Sequence, residues 1–282
     1  MSFGICLAGG GVKGSAHIGV LQALKEYNIQ IDYIGGTSSG SIVSALYAMG
    51  FTPKEIYSIF KKYCNKIKYV DFFNIIKLIF GLLIKKEIII DGLNSGKQLE
   101  NLIEKMTKIK NVKSMQDIKM PLAIPSVNLY NGEVLCFTSC INRHEFSDNT
   151  RFINDIKISK AVRASCSYPV VFSPCEYNNI KLVDGGIREN VPWKELKQLG
   201  CNKVLSIVFE NDTKMSCDKN FIDVASCSLN LLCRELANYE ISGSDLVLKI
   251  KSEKVGLLDM KKIDQLYNLG YIQMKEFIKK EF

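Results

Sequence analysis

Along the first fifty positions, short dense apolar runs alternate with longer stretches whose apolar residues fall three or four apart. Phe3 to Leu7 and Ile31 to Gly35 are runs bounded by glycine, as expected of strands buried on both faces. Ser15 to Tyr27 and Ser41 to Met49 carry helical spacing. The order strand, glycine loop, helix, strand, sharp turn, helix predicts a parallel sheet covered by helices. Thr52 and Pro53 suit the start of a third helix, Lys54 to Cys64. Helical spacing returns over Ser95 to Thr107, Asp155 to Ala164 and Phe221 to Tyr239. Leu122 to Asn128 and Glu133 to Phe137 flank Asn131-Gly132 as a hairpin would, and Lys181 to Val183, Val204 to Phe209 and Leu246 to Ile250 are further strands. Ile263, Leu266, Tyr267, Gly270, Met274, Phe277 and Ile278 mark one face of a C-terminal helix whose role is packing.

One segment stands apart. Val70 to Ile84 holds eleven apolar residues, and its polar or small positions, Asp71, Asn74, Lys77 and Gly81, fall on one narrow stripe. A helix of that kind needs cover, either from the rest of the chain or from lipid or a partner.

At 282 residues and 47% hydrophobic, without linker, repeat or low-complexity block, the chain is expected to form one α/β domain over residues 1–282. The net charge of +8 is carried mainly by lysine, with only five arginines. That surface is either simply solvated or weakly drawn to anionic membranes. Scarce arginine and the lack of a recognition motif argue against nucleic acid as a partner. Ten scattered cysteines read as reduced, mostly buried thiols, and Cys136 and Cys140 do not make a metal pair on their own, because no second Cys/His pair with zinc-site spacing follows. A strand from Phe3 is expected to leave no room for a signal peptide, and Asp71, Lys77, Lys85, Lys86 and Glu87 interrupt the most apolar stretch, Val70 to Ile90. The expected address is cytoplasmic, with peripheral membrane contact possible.

The chemistry concentrates at two glycine-rich turns. Gly36-Thr37-Ser38-Ser39-Gly40 is a G-x-S-x-G sequence between a strand and a helix, where a serine stands clear of the backbone. Gly9-Gly10-Gly11-Val12-Lys13-Gly14 lies between the preceding strand and helix, and such a run can aim backbone N–H groups at an oxyanion. Gly9, Gly11 and Gly14 also satisfy the dinucleotide pattern G-x-G-x-x-G. That reading weakens because Asp32 lies near the start of the second strand, whose end is the serine turn. A Walker loop is excluded by the order Lys13-Gly14-Ser15.

A serine nucleophile needs a base, and only His17 and His144 exist. His17 sits in the helix after the glycine loop, where packing or loop positioning suits it, and His144 lies in a polar loop. Asp184, at a strand end before Gly185 and Gly186, is the better candidate, the alternative being an ordinary turn aspartate.

Together the glycine loop, Gly36 to Gly40, the block Arg163-Ala164-Ser165-Cys166-Ser167-Tyr168-Pro169, and Asp184-Gly185-Gly186 with Asn190 and Pro192 resemble the patatin-like phospholipases, closest to the compact bacterial members related to neuropathy target esterase. The motifs span residues 4–192, and residues 193–282 rest on α/β pattern alone. The resemblance implies a three-layer α/β/α fold with a mainly parallel sheet, Ser38 as nucleophile, Asp184 as base, and an oxyanion site at Gly9, Gly10, Gly11, Val12 and Lys13. Gly14, Gly36, Gly40, Gly185 and Gly186 support these turns. It implies no cofactor, no metal, since Ser-Asp chemistry needs none, and a phospholipid, lysophospholipid or other acyl ester as substrate. Lys13 stands where many members carry arginine, which keeps the charge but loses the planar fork. The expected function is a serine acyl hydrolase; the other reading is a lipid-binding or regulatory protein with little turnover.

Overall fold

The computed structural model describes residues 1–63, 76–77, 80, 84, 90–140, 150–211, 221–252, 255 and 259–282. The chain opens with β1 (Phe3–Leu7), α1 (Gly14–Glu26), β2 (Tyr33–Gly36), α2 (Ser39–Ala48) and α3 (Pro53–Tyr63). α3 begins with a reciprocal cap: Glu55 N–H donates to Thr52 Oγ1, and Thr52 N–H donates back to the Glu55 carboxylate. α4 (Lys97–Lys110), β3 (Leu122–Asn128), β4 (Val134–Thr138), β5 (Thr150–Ile153), α5 (Ile158–Ser165), β6 (Cys175–Tyr177) and β7 (Ile180–Asp184) follow. The remainder is α6 (Trp193–Gln198), β8 (Lys203–Asn211), α7 (Phe221–Glu240), β9 (Leu246–Ser252) and α8 (Ile263–Glu281).

The sheet runs β5-β4-β3-β2-β1-β8-β9, with β7 attached to β3 and β6 to β7. Pairings along β3-β2-β1-β8-β9 and between β4 and β5 are parallel; β3–β4, β3–β7 and β6–β7 are antiparallel. Helices cover both faces, which is why β1, β3 and β4 are buried almost throughout instead of alternating. This is the mainly parallel, helix-covered sheet that the alternation of strands and helices predicts.

β3 also explains how distant segments meet. Gly35 of β2 pairs with Ala123, and Asp184 of β7 pairs with Ser126. The two strands run in opposite directions, so their C-terminal ends approach each other across roughly 10 Å of β3. α8 packs across α1, and its buried residues Ile263, Leu266, Gly270, Met274 and Ile278 are those of the expected stripe. A Cβ on Gly270 would lie 2.0 Å from the Ala16 carbonyl oxygen, so the two helix backbones touch where only glycine fits.

The sequence pattern does not reveal β5, β6 or α6. β5 is a half-exposed edge strand of four residues, and β6 has three. β6 joins β7 through Asn178 and Asn179, both at positive φ, an Asn-Asn turn that is the available signal. Of Val70 to Ile84, most lies outside the described residues; Ile76, Lys77, Phe80 and Ile84 are described and exposed. Among the described residues, seven cysteines are free thiols, five of them buried. Cys227 is disulfide-bonded, which corrects the expectation of reduced thiols throughout. Pairing depends on Cα distance in the fold, and scattered spacing does not encode it.

Candidate active site

β2 ends at Gly36 and α2 starts at Ser39, so the chain reverses within two residues. Ser38 absorbs the reversal at φ 52, ψ −121, a conformation side-chain-bearing residues rarely take and one that costs about 1–3 kcal/mol. Its surroundings hold it there. The Ser38 N–H donates to Ser165 Oγ at 3.1 Å, while its carbonyl accepts from Ser41 Oγ at 2.6 Å and from Cys166 Sγ at 3.2 Å. Gly40 lets α2 lie against β1, since a Cβ there would sit 2.0 Å from the Leu7 carbonyl oxygen, and a Cβ on Gly36 would strike the Gly40 carbonyl. Ser38 is left half-buried, whereas neighbouring Ser39 is buried.

Asp184 ends β7 and is 2% exposed. Its Oδ1 accepts the Gly186 N–H at 2.9 Å, inside the single turn Gly185–Ile187 that follows the strand. Its Oδ2 is buried and makes no hydrogen bond of full geometry among the described residues. Burial pushes the carboxyl up to about 6; the Ser38 hydroxyl and the Gly186 amide pull the other way. Gly185 lies against the Pro125 carbonyl, and Thr37 Oγ1 donates to the Glu189 carbonyl at 2.9 Å, which joins the serine turn to the aspartate turn.

The glycine loop lies beside both. A Cβ on Gly9 would be 2.8 Å from Asn190 Oδ1 and 3.1 Å from the Ser38 Cβ. The Gly9 N–H donates to Asn190 Oδ1 at 2.9 Å, and the Lys13 N–H donates to the Gly10 carbonyl at 3.2 Å. Two of the five amides expected to face an oxyanion are therefore engaged within the protein. Gly11 and Val12 open the short turn Gly11–Lys13, where N–H groups lack an acceptor inside the turn, and Gly14 continues into α1. Lys13 is buried; desolvation draws its ammonium down to about 8, and Nζ lies 6.0 Å from the Phe209 ring centroid. His17 is fully buried, with Nε2 2.8 Å from the Ala8 carbonyl, and burial lowers its pKa to about 4, so it stays neutral and braces the loop. His144 lies outside the described residues.

Some residues around the site carry roles the sequence leaves unstated. Ser165 and Cys166 brace the serine turn from the end of α5, which gives the block from Arg163 to Pro169 its meaning. Arg163 is itself buried and donates to the carbonyls of Ser95 and Ser173 and to Ser167 Oγ. Behind Asn190, Glu189, Glu195 and Glu240 are buried together. Burial is the first cause that raises all three pKa values, and repulsion from neighbouring glutamates adds to it for Glu189 and Glu240. Among the described residues, no three His, Cys, Asp or Glu side chains are grouped so as to hold a metal ion.

A family model for patatin-like phospholipases matches residues 5–197. The chain belongs to that family. Patatin-like relatives include lysophospholipase NTE1 of the yeast Meyerozyma guilliermondii, 28% identical over 97% of this chain but only 19% of its own length. Lysophospholipase NTE1 of Saccharomyces cerevisiae is 29% identical over 73% of this chain and 11% of its own length. YqhO of Bacillus subtilis is 28% identical over 66% of this chain and 63% of its own. The chain thus spans a fifth or less of the two yeast relatives. Among solved structures, the type III effector ExoU has a TM-score of 0.52 at 15% identity, covering 99% of this chain and 53% of its own. VipD from Legionella pneumophila has 0.51 at 15%, covering 99% and 67%. Both share the patatin-like fold described above. No helix among the described residues is long and apolar enough to cross a membrane.

Proposed function

We propose that this patatin-like protein is a serine acyl hydrolase that cleaves fatty-acyl esters of phospholipids, lysophospholipids or related lipids through Ser38 and Asp184. The observation that carries the reading is the pairing of a strained, half-buried Ser38 with a buried Asp184 whose proton affinity is raised and whose Oδ2 is left without a full hydrogen bond. The family and its lysophospholipase relatives support the substrate class.

In this mechanism Asp184, as carboxylate, takes the hydroxyl proton while Ser38 Oγ bonds to the ester carbonyl carbon. The carbonyl π electrons move onto oxygen, which receives N–H groups from Gly10, Gly11 and Val12. As the tetrahedral intermediate collapses, the ester C–O bond breaks and Asp184 returns the proton to the leaving alcohol. A water then gives its proton to Asp184 and attacks the acyl-enzyme; fatty acid leaves and Ser38 regains its proton. Gly9 is assigned to holding the loop in place, because its amide is spent on Asn190. The net charge of +8 favours contact with an anionic lipid surface, where such substrates lie.

The test is fatty-acid release by the purified protein from mixed phospholipid and lysophospholipid vesicles, with Ser38→Ala as control and flotation of the same vesicles recorded. Release that disappears in Ser38→Ala is expected. Flotation without release from the unmodified protein would replace the hydrolase by a lipid binder. A fluorophosphonate should label Ser38 and spare Ser39, whose hydroxyl is buried; labelling elsewhere would sink the nucleophile assignment.

A further inference from the structure

The hydrogen-bond chain that begins at Gly9 continues past Asn190. Asn190 lies outside regular structure, between the turn Gly185–Ile187 and α6. A loop side chain keeps a fixed place only when its backbone is held. That hold comes from the last residue of α7. The Glu240 carboxylate accepts the Asn190 N–H on both oxygens, at 3.2 Å on Oε1 and 3.0 Å on Oε2, and the Val191 N–H on Oε2 at 3.1 Å. The Glu240 carbonyl also accepts from Trp193 Nε1 at 2.7 Å. Glu240 is 7% exposed, so the two amides have little water to turn to if it is withdrawn.

We propose that Glu240 is a positioning residue for acyl transfer: by gripping the backbone of Asn190 and Val191 it sets where Asn190 Oδ1 meets the Gly9 N–H, and so where the amides of the following glycine loop point. The proposal rests on the reading of that loop as the oxyanion site and of Ser38 as the nucleophile. Glu240 has no hydrogen bond to Ser38, Asp184 or the loop itself; its bonds go to Asn190, Val191 and Trp193. Asn190 also borders the aspartate turn, since a Cβ on Gly186 would lie 3.2 Å from both Asn190 Oδ1 and Asp184 Oδ1. A shift of Asn190 would therefore disturb the oxyanion loop and the aspartate turn together. Glu195, equally buried and close by, reaches Thr150 Oγ1 instead.

Reach separates this role from simple stabilisation. Glu240→Asp keeps the charge but withdraws the carboxylate by about one carbon–carbon bond, or ~1.5 Å. Glu240→Gln keeps the reach and an acceptor oxygen. Trp193→Phe loosens the same helix end while leaving the carboxylate in place.

The experiment uses the full chain, a p-nitrophenyl acyl ester for kcat and KM, a fluorophosphonate for the rate of Ser38 labelling, and thermal melting. Because misplacement by about 1 Å can cost up to about 100-fold, an indirect displacement in Glu240→Asp should cost about tenfold in kcat and in labelling rate, with KM within about twofold. Glu240→Gln should stay within about threefold of wild type, and Trp193→Phe should melt lower with kcat within about twofold. Wild-type kcat in Glu240→Asp overturns the proposal. So does a loss in folded Trp193→Phe as large as that in Glu240→Asp, because general loosening would then suffice. Ser38→Ala separates the two levels: if it remains active, the hydrolase reading fails, whereas a silent Ser38→Ala beside a fully active Glu240→Asp removes only the role of Glu240.

Discussion

Asp184 and Glu240 are both carboxyl groups buried within one region of the protein, and burial is the first cause that raises the proton affinity of each. They differ in what their oxygens do. Both oxygens of Glu240 are taken by backbone amides, whereas Asp184 gives one to Gly186 and turns the other inward without a full partner. A raised pKa marks burial, which a brace and a base share. Glu189 Oε1 and Glu195 Oε2 are also buried without a partner among the described residues, so in the proposed mechanism the base is marked by an open oxygen together with its place beside the strained Ser38.

The sharpest break in that comparison is Asp184→Asn. Loss of the base should lower kcat by about a thousandfold or more, with Ser38→Ala as severe, measured as ester hydrolysis. Stability should move the other way. A carboxyl raised from 3.8 to about 6 in the folded state destabilises it by up to about 3 kcal/mol once ionised. The folded pKa lies above the unfolded one, so this destabilisation is complete above pH 6, shrinks as pH falls and is gone below about 3.8. Asp184→Asn should therefore melt higher than wild type at pH 7.5, with the gap closing on acidification. An inactive variant that also melts lower would show that Asp184 is structural.

Gly270→Ala tests the scaffold without touching either carboxylate. Its Cβ would meet the Ala16 carbonyl at 2.0 Å, so α8 must move off α1, at a cost of about 1–3 kcal/mol in urea or thermal unfolding. While the variant remains folded, kcat should stay within about threefold of wild type. A far larger loss would mean that the contact between α1 and α8 sets the oxyanion loop more directly than Asn190 does.

The comparison also predicts a pH profile. If Asp184 must be ionised, kcat should fall about tenfold per pH unit below an apparent pKa near 6 and be flat above it until another group intervenes. A limb near 4 would show a solvated aspartate, and the difference between Asp184 and an ordinary turn residue would vanish.

How much of this is legible in the sequence depends on the range over which each feature is encoded. The turns at Gly9 to Gly14, Gly36 to Gly40 and Asp184 to Gly186 are local: a sharp reversal or close backbone approach demands glycine within a few positions, and that demand is visible in the chain itself. The sheet core is legible for the same reason, since burial on both faces requires unbroken apolar runs. The partners of these turns are not local. Ser165 meets Ser38 across 127 positions, Asn190 meets Gly9 across 181, and Glu240 meets Asn190 across 50. Nothing in the spacing of one glutamate at the end of a long helix announces which amides it will accept. Even the glycine loop is only half legible: its position follows from the sequence, but that Gly9 spends its amide on Asn190 follows only from the fold.

The smallest expected effect tests the comparison most finely. Glu189 is buried, and burial with repulsion from Glu195 and Glu240 pushes its carboxyl well above the usual carboxylate range, which favours the uncharged form at neutral pH. Its backbone carbonyl, rather than its side chain, accepts from Thr37. Glu189→Gln exchanges one neutral planar group for another of nearly equal size, so stability at pH 7 should change by less than about 1 kcal/mol and kcat by less than about twofold. The same exchange at Asp184, where the proposed mechanism needs the carboxylate, should be among the most damaging in the protein. If Glu189→Gln instead lost activity as Asp184→Asn does, the glutamates behind Asn190 would belong to the proton path, and a place beside Ser38 would no longer tell base from brace.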